Sequence, residues 1–121
     1  VLALTDLFLP SGPELRLFAD TPADLLARGI AAVVVKKGAE GASYHAPDAT
    51  LAAPAFPVGE VDPTGAGDTF AATFVTHWLR GTPPAAALAR ANASGALAVL
   101  RRGPMEGTST QAEIDAFLAA R

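Results

Sequence analysis

The sequence predicts an α/β fold in which one sheet is flanked by helices in three layers. A continuous apolar and β-branched run, residues 30–35, follows a short helical segment, as expected where a helix leads into a strand buried on both faces of a parallel sheet. Two longer helical segments occupy the second half. Since 50% of the 121 residues are hydrophobic, residues 1–121 can bury the core of a single domain.

In the first half of the chain, the sequence predicts short helices and strands that are separated by proline and glycine. An apolar strand within 1–9 precedes a short helix over 14–18. The next helix starts at Thr21, the N-cap before a first-turn proline, and stops at Gly29. After the buried strand come a tight turn holding Gly38 and Gly41 and two edge strands, 42–45 and 51–56.

The second half predicts three helices. Phe70, Phe74 and Trp78 recur every four positions within 67–80, so they form one apolar stripe. An alanine-rich helix starts at Thr82–Pro83 and closes near Arg101, Arg102 and Gly103, and Thr110 with Glu113 forms a capping box for the last helix.

The composition and net charge of the chain make some classes of function and location unexpected. A net charge of −3 without a basic run makes nucleic acid an unexpected partner, and no apolar stretch reaches the length of a membrane span. The chain has no cysteine, which fits a reducing compartment, so we expect a cytoplasmic protein. Because the sequence opens on Val1 rather than methionine, we expect a piece of a longer polypeptide.

The glycine-rich turn before the strongest helix carries the chemistry. Backbone N–H groups of Gly65, Ala66 and Gly67 can point together from the positive end of the helix dipole, an arrangement that binds anions. Asp68 follows directly and could accept the proton of an attacking hydroxyl. The alternative is an ordinary turn in which Asp68 caps the helix. The chain has neither a P-loop nor a complete dinucleotide fingerprint.

The stretch Asp62-Pro63-Thr64-Gly65-Ala66-Gly67-Asp68-Thr69-Phe70 resembles the Asp-Thr-x-Gly-Ala-Gly-Asp signature of the ribokinase family, the phosphofructokinase B (PfkB) carbohydrate kinases, with proline where threonine is frequent. Residues 33–41 resemble the nucleotide-binding strand and turn of that family, 92–103 resemble its adenine-side helix and loop, and Ser11-x-x-Glu14 resembles its Asn-x-x-Glu element. The resemblance implies a ribokinase-like, Rossmann-like sheet of which this chain is the C-terminal part.

The resemblance also implies roles for individual residues. Asp68 matches the catalytic base, and Gly65, Ala66 and Gly67 match the anion hole. Glu14 matches the acidic residue that organises magnesium, although Ser11 stands where asparagine is usual and helix capping would explain both residues. The other matches are nucleotide contacts at Lys36, Gly38, Gly41 and Asn92, and a monovalent-cation site at Asp62, Thr64 and the carbonyls near Gly103.

Each of the polar matches has a structural alternative. Lys36 also fits a solvated strand end, and Asn92 also fits a buried amide that backbone groups satisfy. His45, His77 and Trp78 are assigned to packing or surface roles only.

The function that the resemblance implies is transfer of the γ-phosphate of Mg-ATP to a hydroxyl of a sugar or sugar acid. The loop sequences around Pro10 and Pro104 favour a ketose or 2-keto-3-deoxygluconate kinase. A nucleoside or vitamin-type kinase and a non-catalytic nucleotide-binding fragment are the alternatives. Use of potassium and assembly as a homodimer both stay open.

Overall fold

The computed structural model describes residues 6–17, 19, 21–56, 66–100 and 110–120. Within these residues four strands form one sheet in the order β1-β2-β3-β4, namely β1 (Leu7–Phe8), β2 (Ala32–Lys36), β3 (Ala42–Ala46) and β4 (Ala49–Ala53). A single turn of 3₁₀-helix, Gly38–Glu40, joins β2 to β3.

The sheet is mixed rather than parallel throughout. β2 pairs in parallel with β1, but β3 is antiparallel to both β2 and β4. The prediction that residues 42–45 form an edge strand was therefore wrong, because β3 lies between two strands and β4 alone of that pair is at the edge. The reason is that short turns before and after β3 return the chain alongside itself, and hairpins of this kind are antiparallel.

Five helices accompany the sheet in the described residues. Reciprocal capping boxes start α1, α2 and α5, formed by Ser11 with Glu14, Thr21 with Asp24, and Thr110 with Glu113. The first of these boxes places the opening helix earlier than the predicted 14–18. The helices are α1 (Gly12–Leu15), α2 (Pro22–Ala27), α3 (Ala66–Leu79), α4 (Pro84–Val99) and α5 (Gln111–Ala119).

Each face of the sheet has its own apolar cluster, which confirms the three-layer prediction. Val34 and Tyr44 point from one face toward Phe74 and Leu88 of α3 and α4. Val33 and the remaining members of the second cluster lie on the opposite face, where α1 and α2 pack; these members are Leu15, Leu25, Ile30 and Val35. β2 is thus covered on both sides, as its continuous apolar run predicts.

The predicted stripe of α3 faces the core. Phe74 is fully buried, Phe70 nearly so, and Trp78 packs partly buried against the same cluster. His77 is also buried, with Nδ1 3.2 Å from Thr82 Oγ1 and Nε2 3.2 Å from Gln111 Oε1. His77 therefore has a packing role that joins α3 to α5. No helix in the described ranges has the length and apolar character that crossing a membrane requires.

Candidate active site

The site is built where the C-terminal end of β2 meets the start of α3. The Lys36 backbone N–H donates to the Pro10 carbonyl at 2.9 Å, and Ser11 forms a parallel bridge with Lys36. This pairing brings the chain before α1 alongside the last residue of β2. Residues that are far apart in the sequence, Glu14, Lys36 and Gly67, consequently lie in one region.

Lys36 extends from the strand toward the first turn of α3. Its Nζ lies 3.8 Å from the position that a β-carbon on Gly67 would occupy. The N-terminal end of a helix carries a positive partial charge, and a lysine ammonium beside it adds a full one. Because these like charges repel, the arrangement is favourable when an anion binds near them. Lys36 is half-buried, which differs from the solvated strand end that the sequence also allowed.

Asp68 is the third residue of α3 and its side chain is exposed. Since Ala66 and Gly67 are already helical, Asp68 lies inside the first turn and does not occupy the capping position before the helix. A carboxylate in the first turn is stabilised by the helix dipole. It is accessible to a ligand that approaches the positive end of α3, as a base acting on such a ligand must be.

Glu14 is engaged in the capping box of α1. Its Oε1 accepts from the Ser11 backbone N–H at 2.8 Å, while its own N–H donates to Ser11 Oγ at 3.3 Å. The bond from the Ser11 backbone lowers the pKa of Glu14, and the Ser11 hydroxyl and the charge of Lys36 lower it further. Capping thus accounts for Ser11 and Glu14, while the proximity of Lys36 places the carboxylate at the edge of the candidate anion site.

The described residues contain no cluster of three or more metal-ligating side chains. Glu14 is therefore in no such group, and the positive charge of Lys36 is near it. Magnesium is commonly held by one or two carboxylates together with substrate phosphates, and Glu14 fits that pattern.

The turn after β2 requires its glycines for two different reasons. Gly38 has a φ of +58°, and a β-carbon there would have open space around it. Gly41 has a φ of +98°, and a β-carbon there would lie 2.7 Å from the Ala55 nitrogen and 2.8 Å from the Pro54 carbonyl carbon. Gly41 therefore permits the backbone after β4 to approach, which is a packing reason independent of any nucleotide.

Asn92 lies on α4 and is buried. Its Nδ2 donates to the carbonyl oxygens of Ala53 and Pro54, both at 3.3 Å. These are the satisfied backbone contacts that the sequence offered as the alternative to a nucleotide contact. The two hydrogens of the amide are occupied by protein carbonyls, which leaves its oxygen for any further partner.

Four residues of the predicted site, Asp62, Thr64, Gly65 and Gly103, lie outside the described residues. Gly95 of α4 is one of the small residues from which the sequence predicts close packing to the sheet or to a neighbouring helix. In the structure a β-carbon on Gly95 would lie 3.8 Å from the Ala66 carbonyl oxygen of α3.

Comparison with known proteins shows which family the chain resembles. The family model described as "pfkB family carbohydrate kinase" matches residues 1–111. The ATP-dependent ribose-1-phosphate kinase of Halopiger xanaduensis is 43% identical over 89 residues, which are 74% of this chain and 30% of that protein. The 2-dehydro-3-deoxygluconokinase of Thermoproteus tenax is 39% identical over 92 residues, 76% of this chain and 28% of that protein. The chain thus spans about a third or less of these relatives.

A crystal structure described as ribokinase II from E. coli, in complex with ATP and Mg²⁺, superposes with a TM-score of 0.91 at 44% identity. The superposition covers 99% of this chain and 41% of that one. The matched backbone includes the sheet, both helical layers and the start of α3. With the glycine-rich sequence before Asp68 and the family model over residues 1–111, these likenesses show that the chain belongs to the PfkB family of carbohydrate kinases.

Proposed function

We propose that the protein containing this chain transfers the γ-phosphate of ATP to a hydroxyl group of a sugar or sugar acid. The observation that carries this proposal is the placement of the Lys36 ammonium beside Gly67, at the start of the helix that presents Asp68. A cation, a helix N-terminus and an exposed carboxylate in one region provide what phosphoryl transfer needs, namely charge stabilisation and a proton acceptor.

In the proposed reaction the acceptor hydroxyl oxygen forms a bond to the γ-phosphorus as the bond from that phosphorus to the β-phosphate oxygen breaks. ADP leaves with the electron pair of the broken bond, and the hydroxyl proton passes to the Asp68 carboxylate. Backbone N–H groups of Gly65, Ala66 and Gly67 stabilise the transferring phosphoryl oxygens. Lys36 adds positive charge on the side of β2.

The remaining predicted positions take supporting roles in this proposal. Gly38 and Gly41 shape the turn beside the nucleotide phosphates, and Glu14 is the carboxylate that would hold magnesium. Bound magnesium would neutralise charge on the phosphate oxygens. The monovalent-cation site at Asp62, Thr64 and Gly103 stays a prediction, as does a homodimeric assembly.

The relatives support a sugar-derived acceptor. The Halopiger protein is a kinase of ribose 1-phosphate and the Thermoproteus protein a kinase of 2-dehydro-3-deoxygluconate. Both of these acceptors are sugar derivatives. The decisive experiment supplies the purified full-length polypeptide with ATP and a panel of ribose derivatives, ketoses, 2-keto-3-deoxygluconate, nucleosides and pyridoxal. If only nucleosides or only pyridoxal were phosphorylated, the assignment of a sugar or sugar acid as the acceptor would be wrong.

The role of Asp68 is tested by Asp68→Asn. Loss of a general base lowers turnover by about 10²-fold or more, whereas ATP binding measured by calorimetry should stay close to that of the unsubstituted protein. Asp48→Asn is the matched control, because it removes the same charge from an exposed position in the turn between β3 and β4. That turn lies at the end of the two strands away from Lys36. Unchanged turnover in Asp68→Asn would exclude Asp68 as the base.

A further inference from the structure

Glu14 and Lys36 carry opposite charges on two chain segments that backbone pairing holds together. Glu14 Oε1 accepts from the Ser11 backbone N–H at 2.8 Å, and Ser11 forms a parallel bridge with Lys36. The bond from the Ser11 backbone lowers the pKa of Glu14 most, and the charge of Lys36 lowers it further. The carboxylate of Glu14 is therefore held in the neighbourhood of a positive charge.

The Lys36 side chain extends from this pair toward the first turn of α3. Its Nζ lies 3.8 Å from the position that a β-carbon on Gly67 would occupy, and Lys36 is half-buried. A nucleotide phosphate bound at the start of α3 would therefore be near the ammonium group of Lys36. The carboxylate of Glu14 would act on the same phosphate with the opposite sign.

The two charges act differently on the two forms of ATP. Magnesium cancels about two of the negative charges of the nucleotide. Attraction to Lys36 and repulsion from Glu14 are therefore both larger for metal-free ATP than for Mg-ATP. Glu14 can in addition bind the magnesium ion of Mg-ATP as a carboxylate ligand. Lys36 consequently favours the metal-free form, and Glu14 favours Mg-ATP.

We propose that Glu14 and Lys36 act as a pair that sets how strongly the protein discriminates between metal-free ATP and Mg-ATP, a role that rests on the proposed function above. With both residues present the two charges offset each other, so the protein should bind both forms. Magnesium would then matter more for the transfer of the phosphoryl group than for nucleotide binding. Loss of one charge shifts the preference, in a direction that depends on which charge is lost.

Isothermal titration calorimetry of the full-length polypeptide tests this role. ATP is titrated at neutral pH in excess magnesium or in a chelator of divalent metals, at one ionic strength because salt screens exposed charges. The quantity compared is the dissociation constant for metal-free ATP divided by that for Mg-ATP. Lys36→Met should raise this ratio about tenfold or more. Glu14→Gln, which keeps the capping box of α1, should lower it about threefold or more.

Charge-conserving and matched variants serve as controls. Lys36→Arg keeps the positive charge and should leave the ratio within about threefold. Asp24→Asn is matched to Glu14→Gln, because Asp24 holds the same third position in the capping box of α2. Lys37→Met is matched to Lys36→Met, because Lys37 is the exposed neighbour with the same charge. Both matched controls should leave the ratio within about twofold.

Because binding is measured without phosphoryl transfer, this inference and the proposed function can fail separately. If the unsubstituted protein binds both forms of ATP but phosphorylates no sugar, the proposed function fails and the ratios still decide the role of the pair. A shift of the ratio in the same direction in Lys36→Met and Glu14→Gln would overturn the inference. So would an unchanged ratio in either variant, or an unsubstituted protein that binds no metal-free ATP.

Discussion

The Lys36 ammonium nitrogen lies 3.8 Å from the position that a β-carbon on Gly67 would occupy. The Lys36 side chain thus spans the gap between the end of β2 and the start of α3. We predict that Lys36→Met raises KM for ATP about tenfold or more, because a hydrogen bond from a charged group contributes about 1.5–3 kcal/mol. Initial rates measured over a range of ATP concentrations give this KM. Lys37→Met is the control, since Lys37 is an exposed neighbour with the same charge. An equal KM in both variants would show that Lys36 does not contribute to ATP binding.

Gly41 should be far less tolerant of substitution than Gly38. A β-carbon at Gly41 would meet the backbone of residues 53–55 at distances too short for any real contact, whereas at Gly38 it would meet nothing within 4 Å. Gly41→Ala should therefore lower the free energy of unfolding by about 3 kcal/mol or more. Gly38→Ala should cost only about 1–2 kcal/mol, from its positive φ. Urea denaturation measures both, and equal losses would contradict the close approach at Gly41.

The buried His77 should couple energetically to Gln111. Because the two side chains are hydrogen-bonded between α3 and α5, His77→Phe should destabilise the protein by about 1–3 kcal/mol by leaving Gln111 without this partner. In a double-mutant cycle with Gln111→Leu, the coupling should be about 0.5 kcal/mol or more. Thr76→Ala is the control, since the Thr76 hydroxyl donates within α3 to the Ala72 carbonyl. Strict additivity of the two substitutions would show that the bond contributes nothing.

His45 should make stability depend on pH. Burial, with a smaller contribution from the charge of Lys37, lowers the pKa of His45 below its usual 6.5. The unfolded chain therefore binds the proton first, and the free energy of unfolding falls as the pH drops below about 6.5 until it passes the pKa of the folded protein. His45→Gln should flatten this slope, as measured by urea denaturation from about pH 7.5 to 5. An unchanged slope would assign the dependence to other groups.

Local signals in the sequence predicted the helices well. Caps and four-residue spacing involve residues close together in the chain, and the structure confirms the N-cap at Thr21, the capping box at Thr110 and the buried stripe of α3. The glycine-rich sequence before Asp68 likewise predicted a helix start, and α3 begins at Ala66.

Pairing over long distances could not be predicted in the same way. β3 carries the same short apolar signal whether it lies at an edge or between two strands, because its neighbours are decided by the turns. The bonds from Asn92 to Ala53 and Pro54 and the approach of Lys36 to Gly67 depend on where separate elements dock. Sequence spacing contains no information on such distances unless homologues are compared.

The capping boxes of α1, α2 and α5 have a consequence for how the chain folds. These helices have only four, six and nine residues, and isolated helices shorter than about 12–15 residues are marginal in water. None of the three should persist before it docks. Yet the starting residue of each is encoded within four consecutive positions, so docking does not have to choose among competing registers. During folding, the strands of the sheet and α4 must still find partners that are distant in the sequence. The three short helices should form after those contacts are made.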